Sequence, residues 1–403
     1  MIRGLWGKFF PPDQDPETPK IDATHHHGLI NFGNTCYCNS VLQALYFCEP
    51  FRERVLEYRK QSKKTDGSLI WCLADLFNQL SAKKKRQPIK PTKFVHMLKK
   101  ENDAFDNVLQ HDAQEFLNFL LNHIGDTLRD EIVRTHKVSH AQSDNAHQHN
   151  SHCDYQETWV HELFEGVMTN VTRCLRCESV NQKDERFLDL SVDIEPNTSI
   201  NHCLKSFSAT ETLKGEHKYY CEVCCSKQEA HKSLEIRSFP KVLALHLKRF
   251  RFEDGARSHM TKLSYRVVFS RQLRIPSSKY SKDDGSTILY ELNAVVVHCG
   301  KEINRGHYIT LVRAHPNHDQ WLVFDDEEVD FLPQAELETF FGLTDSSAGR
   351  GNLESAYILF YERVNEEERA KKESKQNAGS GDSSAKSAKE GKKNKKQQQH
   401  SSD

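Results

Sequence analysis

The hydrophobic pattern of this chain changes period partway along, and that change restricts the fold more than any other feature. From Gly28 to about Arg134 the apolar residues recur at helical spacing. Val41, Leu42, Leu45 and Tyr46 mark one such segment, and Ala113, Phe116, Leu117, Leu120, Leu121 and Ile124 form one face of another. From Val160 to Tyr361 they gather instead in short β-branched or apolar runs bounded by turn residues, at 242–247, 292–297 and 307–312. Helices first and strands afterwards predict an α+β architecture. A chain of 403 residues can build this as one large domain or as two to three smaller ones.

Three segments lack such periodicity. Residues 1–27 read as a flexible leader ending in His25, His26 and His27. Residues 135–157 are polar and histidine-rich (His136, His140, His147, His149, His152) and read as a mobile insertion, since nothing there fixes ligand geometry. Residues 365–403 are rich in Lys, Ser, Gly and Gln and read as a disordered tail. Its basic run Gly391-Lys-Lys-Asn-Lys-Lys396 suits nuclear import or a polyanion, although a solubilising tail is the simpler reading. The formal net charge of −1 gives no global attraction to nucleic acid or membrane, and no apolar run reaches the ~18 residues of a spanning helix. Twelve cysteines without a secretory signal predict a reducing compartment, the cytoplasm with the nucleus as a second location. There the thiols serve as metal ligands, nucleophiles or core residues.

Cys36 is the cysteine placed for chemistry. It closes the loop containing Gly33 and Asn34 and opens a helix, and the partial positive charge of a helix N-terminus stabilises a thiolate. A buried structural thiol is the ordinary alternative. A nucleophile needs a base and an orienter. His307 follows a glycine and starts a strand that leads through Pro316 into a second strand ending in Asp325 and Asp326. A hairpin symmetric about Pro316 places Leu311 opposite Trp321 and His307 opposite Asp325, with Asp326 as the fallback orienter. His246 and His298 read as strand residues. Asn31, Asn34 and the Cys36 backbone N–H are candidate donors to an oxyanion, and Asn31 can equally be a turn residue.

Cys174-Leu-Arg-Cys177 and Cys221-Glu-Val-Cys224 are two Cys-x-x-Cys knuckles. Together they supply four thiolates, the ligand set of a closed structural zinc site. The gap from 178 to 220 is longer than usual for a zinc ribbon, and a redox pair would want a βαβ context that is absent. Cys225 reads as a spectator.

These residues carry a family resemblance. Asn31, the box Gly33-Asn-Thr-Cys-Tyr-Cys-Asn39, Gln110-His-Asp-Ala-Gln-Glu-Phe-Leu117, Leu245-His-Leu-Lys-Arg-Phe250, Tyr290, Gly306-His-Tyr308 and Phe324-Asp325 resemble the ubiquitin-specific protease (USP) family, in the family's order, over about residues 28–361. The chain is most similar to a subgroup of short members activated by WD-repeat β-propeller proteins. The resemblance implies a papain-like core. Its helical thumb (about 28–134) carries Cys36, its antiparallel palm carries His307 and Asp325, and its fingers hold one structural zinc on Cys174, Cys177, Cys221 and Cys224, with fingers and palm spanning about 158–361. It further implies that Asn31 is the oxyanion donor and that Asp112 and Glu115 line the channel for ubiquitin's C-terminal tail. The implied activity is cleavage of the isopeptide or thioester bond after ubiquitin's terminal glycine, with a low basal rate raised by the propeller partner. His111 and Gln114 depart from the family's usual Gln-Gln-Asp-Ala-His-Glu-Phe box, and His298-Cys-Gly300 stands where a serine is frequent. Two other classes fit parts of the chain: an inactive ubiquitin-binding module, which the complete Cys–His–Asp set opposes, and a zinc-ribbon nucleic-acid protein, which the near-zero charge opposes.

Overall fold

The computed structural model describes residues 26–61, 67–82, 87–107, 109–140, 157–253, 259–276, 287–302, 305–314, 320–344 and 353–364. The leader through His25, the core of the histidine-rich segment (141–156), the Pro316 turn and the tail from 365 lie outside the described residues.

Among the described residues six α-helices, Cys36–Phe47, Glu49–Gln61, Leu69–Leu80, Thr92–Glu101, Ala113–His140 and the short Trp159–Phe164, precede the sheets. The Cys36 helix is buried on all sides from Cys36 to Leu45, as its apolar composition demands of a helix at the centre of a bundle. The long Ala113–His140 helix packs Phe116, Leu117, Leu120, Leu121 and Ile124 into the same core. It continues to His140, so the segment expected to be a loop from residue 135 begins as helix. The leader is corrected as well: His27 is buried, and its ring contacts the carbonyls of Gln87 and Ala82 at 3.0 and 3.2 Å.

Seven strands follow one another across the main sheet: Glu328–Pro333, Gln320–Asp325, His307–Arg313, Thr287–Cys299, Glu354–Arg363, Val242–Leu247 and Leu190–Val192. An eighth, Gln272–Pro276, pairs with Thr287–Cys299. Both faces of this sheet are covered. Val242, Ala244, Ala294 and Val296 face the helical core, while Leu243, Leu245, Val295 and Val297 face a second core behind it. Alternate residues thus enter different cores, which is why these strands read as continuous apolar runs rather than as alternating ones.

A separate four-stranded antiparallel sheet projects from this body, built from Val180–Phe187, Gly166–Cys174, Ala230–Ser238 and Glu211–Leu213. Helical layer, palm-like sheet and projecting sheet together give the α+β, papain-like arrangement.

Candidate active site

The site forms where the start of the Cys36 helix meets the ends of two interior strands of the main sheet, His307–Arg313 and Gln320–Asp325. Thr35 is the N-cap of that helix but makes no side-chain cap, which leaves its side chain out of the accounting for the first-turn amides around Cys36. The helix is fixed to the strand that carries His307: Thr310 Oγ1, fully buried, donates to the Ser40 carbonyl at 2.7 Å.

His307 Nε2 lies 2.6 Å from Asp325 Oδ1 and 3.9 Å from Asp326 Oδ2, so Asp325 is the carboxylate that holds the ring. The two meet by a route different from the symmetric hairpin. The ladder pairs Leu311 with Val323 and Arg313 with Trp321, a shift of two residues from the expected Leu311–Trp321 pair. Because strand side chains alternate with period two, a two-residue shift keeps every side chain on its face. His307 therefore still reaches Asp325, as a diagonal contact near the end of the ladder.

Burial opposes charge on the His307 ring, but hydrogen bonds to Asp325 and Cys36 outweigh it and push the imidazolium up to about 10. The rival histidines are electrostatically silent: burial pulls His246 down to about 3 and His298 down to about 2. A ring held by Asp325 beside the Cys36 sulfur is an arrangement able to take a proton from a nucleophile and to protonate a leaving amine.

Asp326 has a different task. Its Oδ2 accepts from Asn31 Nδ2 at 2.7 Å and its Oδ1 from Asn39 Nδ2 at 2.8 Å. One carboxylate thereby ties the loop before Cys36, the helix after it and the turn after Asp325. Asp326 takes a positive φ of 51° in that turn, and the turn lies against Gly28, where a Cβ would come within 2.4 Å of the Glu327 carbonyl oxygen. No larger residue fits there. At the other end of Asn31, Oδ1 accepts from the Thr35 backbone N–H and hydroxyl at 3.1 and 3.2 Å. The turn reading and the donor reading of Asn31 are therefore compatible, since they use opposite ends of one amide.

Asp112 and Glu115 differ in environment. Asp112 sits just before the Ala113–His140 helix, caps the Gln114 and Glu115 amides through Oδ1 at 2.6 and 3.4 Å, and accepts from the Tyr357 hydroxyl through Oδ2. Glu115 is exposed on the first turn. Burial raises both carboxyls above their usual range, with Asp112 adding to the rise at Glu115.

The four knuckle cysteines meet at the tip of the projecting sheet, far along the chain from Cys36. Their sulfurs all lie within 4.8 Å of one another, with Cys177–Cys221 at 3.6 Å and Cys174–Cys224 at 4.0 Å. Tetrahedral thiolates at ~2.3 Å from one ion stand about 3.8 Å apart, so this cluster could hold a metal ion. Each knuckle turns through a left-handed residue directly after its second cysteine, Glu178 (φ 60°) and Cys225 (φ 48°). Cys225 is exposed and outside the cluster.

A family model described as "Ubiquitin carboxyl-terminal hydrolase" matches residues 27–361. The chain belongs to the ubiquitin carboxyl-terminal hydrolase family. It is thus a thiol protease of the deubiquitinating, ubiquitin-specific type. Ubiquitin carboxyl-terminal hydrolase 12 of Salmo salar is 52% identical over 342 residues, covering 84% of this chain and 90% of the relative. Ubiquitin carboxyl-terminal hydrolase 46 of Caenorhabditis elegans is 46% identical over 385 residues, covering 84% and 89%. Among solved structures, the chain resembles the SAGA Ubp8/Sgf11/Sus1/Sgf73 DUB module bound to ubiquitin aldehyde at a TM-score of 0.64 and 26% identity, covering 90% of this chain and 74% of that one. The Ubp8(C146A) form of that module bound to monoubiquitin matches at 0.64 and 27%, with the same coverage.

Sequence reasoning assigned no task to Asn39, Tyr357, Thr310 or Gln110, all of which touch the site. Asn39 had a usable signal: it lies three residues after Cys36, on the same helix face.

Proposed function

We propose that this family member cleaves the isopeptide or thioester bond after ubiquitin's terminal glycine by a Cys36–His307–Asp325 triad. The observation that carries the reading is the 2.6 Å contact between His307 and Asp325 beside a cysteine at a helix N-terminus. Cys36 attacks the carbonyl, His307 gives its proton to the leaving lysine amine, and His307 then takes a proton from the water that hydrolyses the acyl-enzyme. Asn31 donates its second amide hydrogen to the oxyanion, helped by the Cys36 backbone N–H. Glu115 and Asp112 supply negative charge for the arginines of ubiquitin's tail, with the exposed Glu115 as the freer partner.

The four knuckle cysteines hold one structural zinc, for which their sulfur spacing is suited. WD-repeat β-propeller proteins act as activators, and the exposed Leu175, Val180, Tyr220 and Val223 on or beside the knuckles offer such partners an apolar contact surface. The protein works in the cytoplasm and, through its basic tail segment, in the nucleus.

Incubation with a ubiquitin whose C-terminus carries an electrophile tests the triad. A single covalent adduct on the Cys36 peptide, seen by mass spectrometry, supports it, and an adduct on any other cysteine refutes it. Asn31→Ala is expected to lower kcat on a ubiquitin C-terminal fluorogenic substrate by roughly 10²–10³-fold, with KM little changed. A full rate would move the oxyanion to backbone donors alone.

A further inference from the structure

Gln110 is buried in the seam between the helical layer and the main sheet. Its Oε1 accepts the Gly306 backbone N–H at 2.8 Å, and its Nε2 lies 3.9 Å from Cys36 Sγ. These partners are 196 and 74 residues away in sequence. The orientation of the amide follows from chemistry. A backbone N–H can only donate, so the atom it meets is Oε1, and the Nε2 hydrogens therefore face the sulfur. An amide N–H has nothing to accept, so the sulfur must be the acceptor. A thiolate accepts far more strongly than a thiol.

The second contact lands on a constrained backbone. A Cβ at Gly306 would come within 2.2 Å of His298 Nε2 and 2.8 Å of the Cys299 carbonyl oxygen, so the chain is pressed against His298 at this point. Gly306 immediately precedes His307, and holding its N–H fixes the approach of the base.

We propose that Gln110 is a catalytic residue of this enzyme: it donates to the Cys36 sulfur, favouring the thiolate, and clamps the backbone that delivers His307 through its carbonyl oxygen. The proposal rests on the reading of Cys36 as the nucleophile. The amide serves nucleophile and base at once, so alignment of the two does not depend on the hairpin alone. The titratable groups that interact with Cys36 are His307, Tyr37, Cys38, Cys299 and Tyr308, and Gln110→Glu replaces none of them and keeps the acceptor that holds Gly306 before His307.

Two variants of the full chain separate the contacts. Gln110→Glu keeps the shape and the acceptor for Gly306 but loses the donor to sulfur, whereas Gln110→Ala loses both. The readouts are the rate of capture by electrophilic ubiquitin across pH 5–9 and kcat and KM on the fluorogenic substrate, with ubiquitin affinity as the check on folding. In Gln110→Glu the acid limb of the capture rate should move to higher pH by about one unit, a tenfold loss at a fixed pH on that limb. In Gln110→Ala kcat should fall further, with KM within about twofold. An unmoved acid limb in Gln110→Glu overturns the proposal even if kcat falls, because loosened packing alone would lower kcat. If Gln110→Ala does not fold, Gln110→Glu decides. Capture that persists in Cys36→Ala would instead remove the nucleophile assignment on which the proposal stands.

Discussion

His307→Ala and Cys36→Ala are each expected to lower kcat/KM on a ubiquitin C-terminal fluorogenic substrate by about four orders of magnitude or more while leaving ubiquitin binding intact. The two losses should not add, because an imidazole without a sulfur, or a sulfur without an imidazole, leaves the same residual site. Double substitution should therefore cost little beyond either single one. A second readout follows from the charge state of His307. Its folded value is raised, so the stability it contributes is fully present below its unfolded value of 6.5 and is lost as pH rises through about 10. The stability of His307→Ala should accordingly depend less on pH across that window. Full turnover in His307→Ala would reassign the base, and a pH profile of unfolding identical to the parent would mean that Asp325 does not hold the charged ring.

The second large effect concerns the metal. Replacing Cys221 and Cys224 together by serine should reduce bound zinc from about one ion per chain to none, measured after denaturation. Metal binding at a closed four-thiolate site contributes on the order of 10–16 kcal/mol to local folding. The knuckle Tyr219–Cys221 and Ser226–Gln228 has only a short two-stranded ladder of its own, so without an ion its fold should be lost. Hydrogen exchange should rise at both knuckles and fall off along the Gly166–Cys174 and Val180–Phe187 strands towards the body of the protein. Because the cluster belongs to strands outside the main sheet that carries His307 and Asp325, the kinetic change should appear as a raised KM for ubiquitin substrates, with kcat less affected. Retention of one zinc by the double variant would place the ion elsewhere.

The fold class was legible because each half of the chain keeps one period. The change from helical spacing to β runs separates the Cys36 bundle from the palm-like sheet, and Cys-x-x-Cys pairs announce their own knuckles. The hairpin register was not legible. Its apex lies among residues whose sequence permits several turn lengths, and a two-residue shift preserves the alternation of faces, so hydrophobic pattern cannot distinguish the two. The His307–Asp325 contact survived for that same reason. The division of labour between Asp325 and Asp326 was also hidden. Adjacent carboxylates look alike in sequence, and only the left-handed turn at Asp326 sends one to the imidazole and the other to Asn31 and Asn39. The helical extension through His140 was missed because polar, histidine-rich composition says little about a helix that grows from an already buried stem.

The strand order of the main sheet bears on when this enzyme can first exist during its own synthesis. Glu354–Arg363, the last described strand to leave the ribosome, lies between Thr287–Cys299 and Val242–Leu247. Until it arrives, those two strands each present an open edge, although Cys36, His307 and Asp325 have already been translated. A nascent chain stalled before Glu354 therefore has Cys36, His307 and Asp325 and no closed sheet to align them. The exposed edges are the kind that pair with other chains. Premature termination in this interval should thus yield aggregating, inactive polypeptide rather than a weakened protease, so proteolysis of ubiquitin conjugates waits for almost the whole catalytic region to be made.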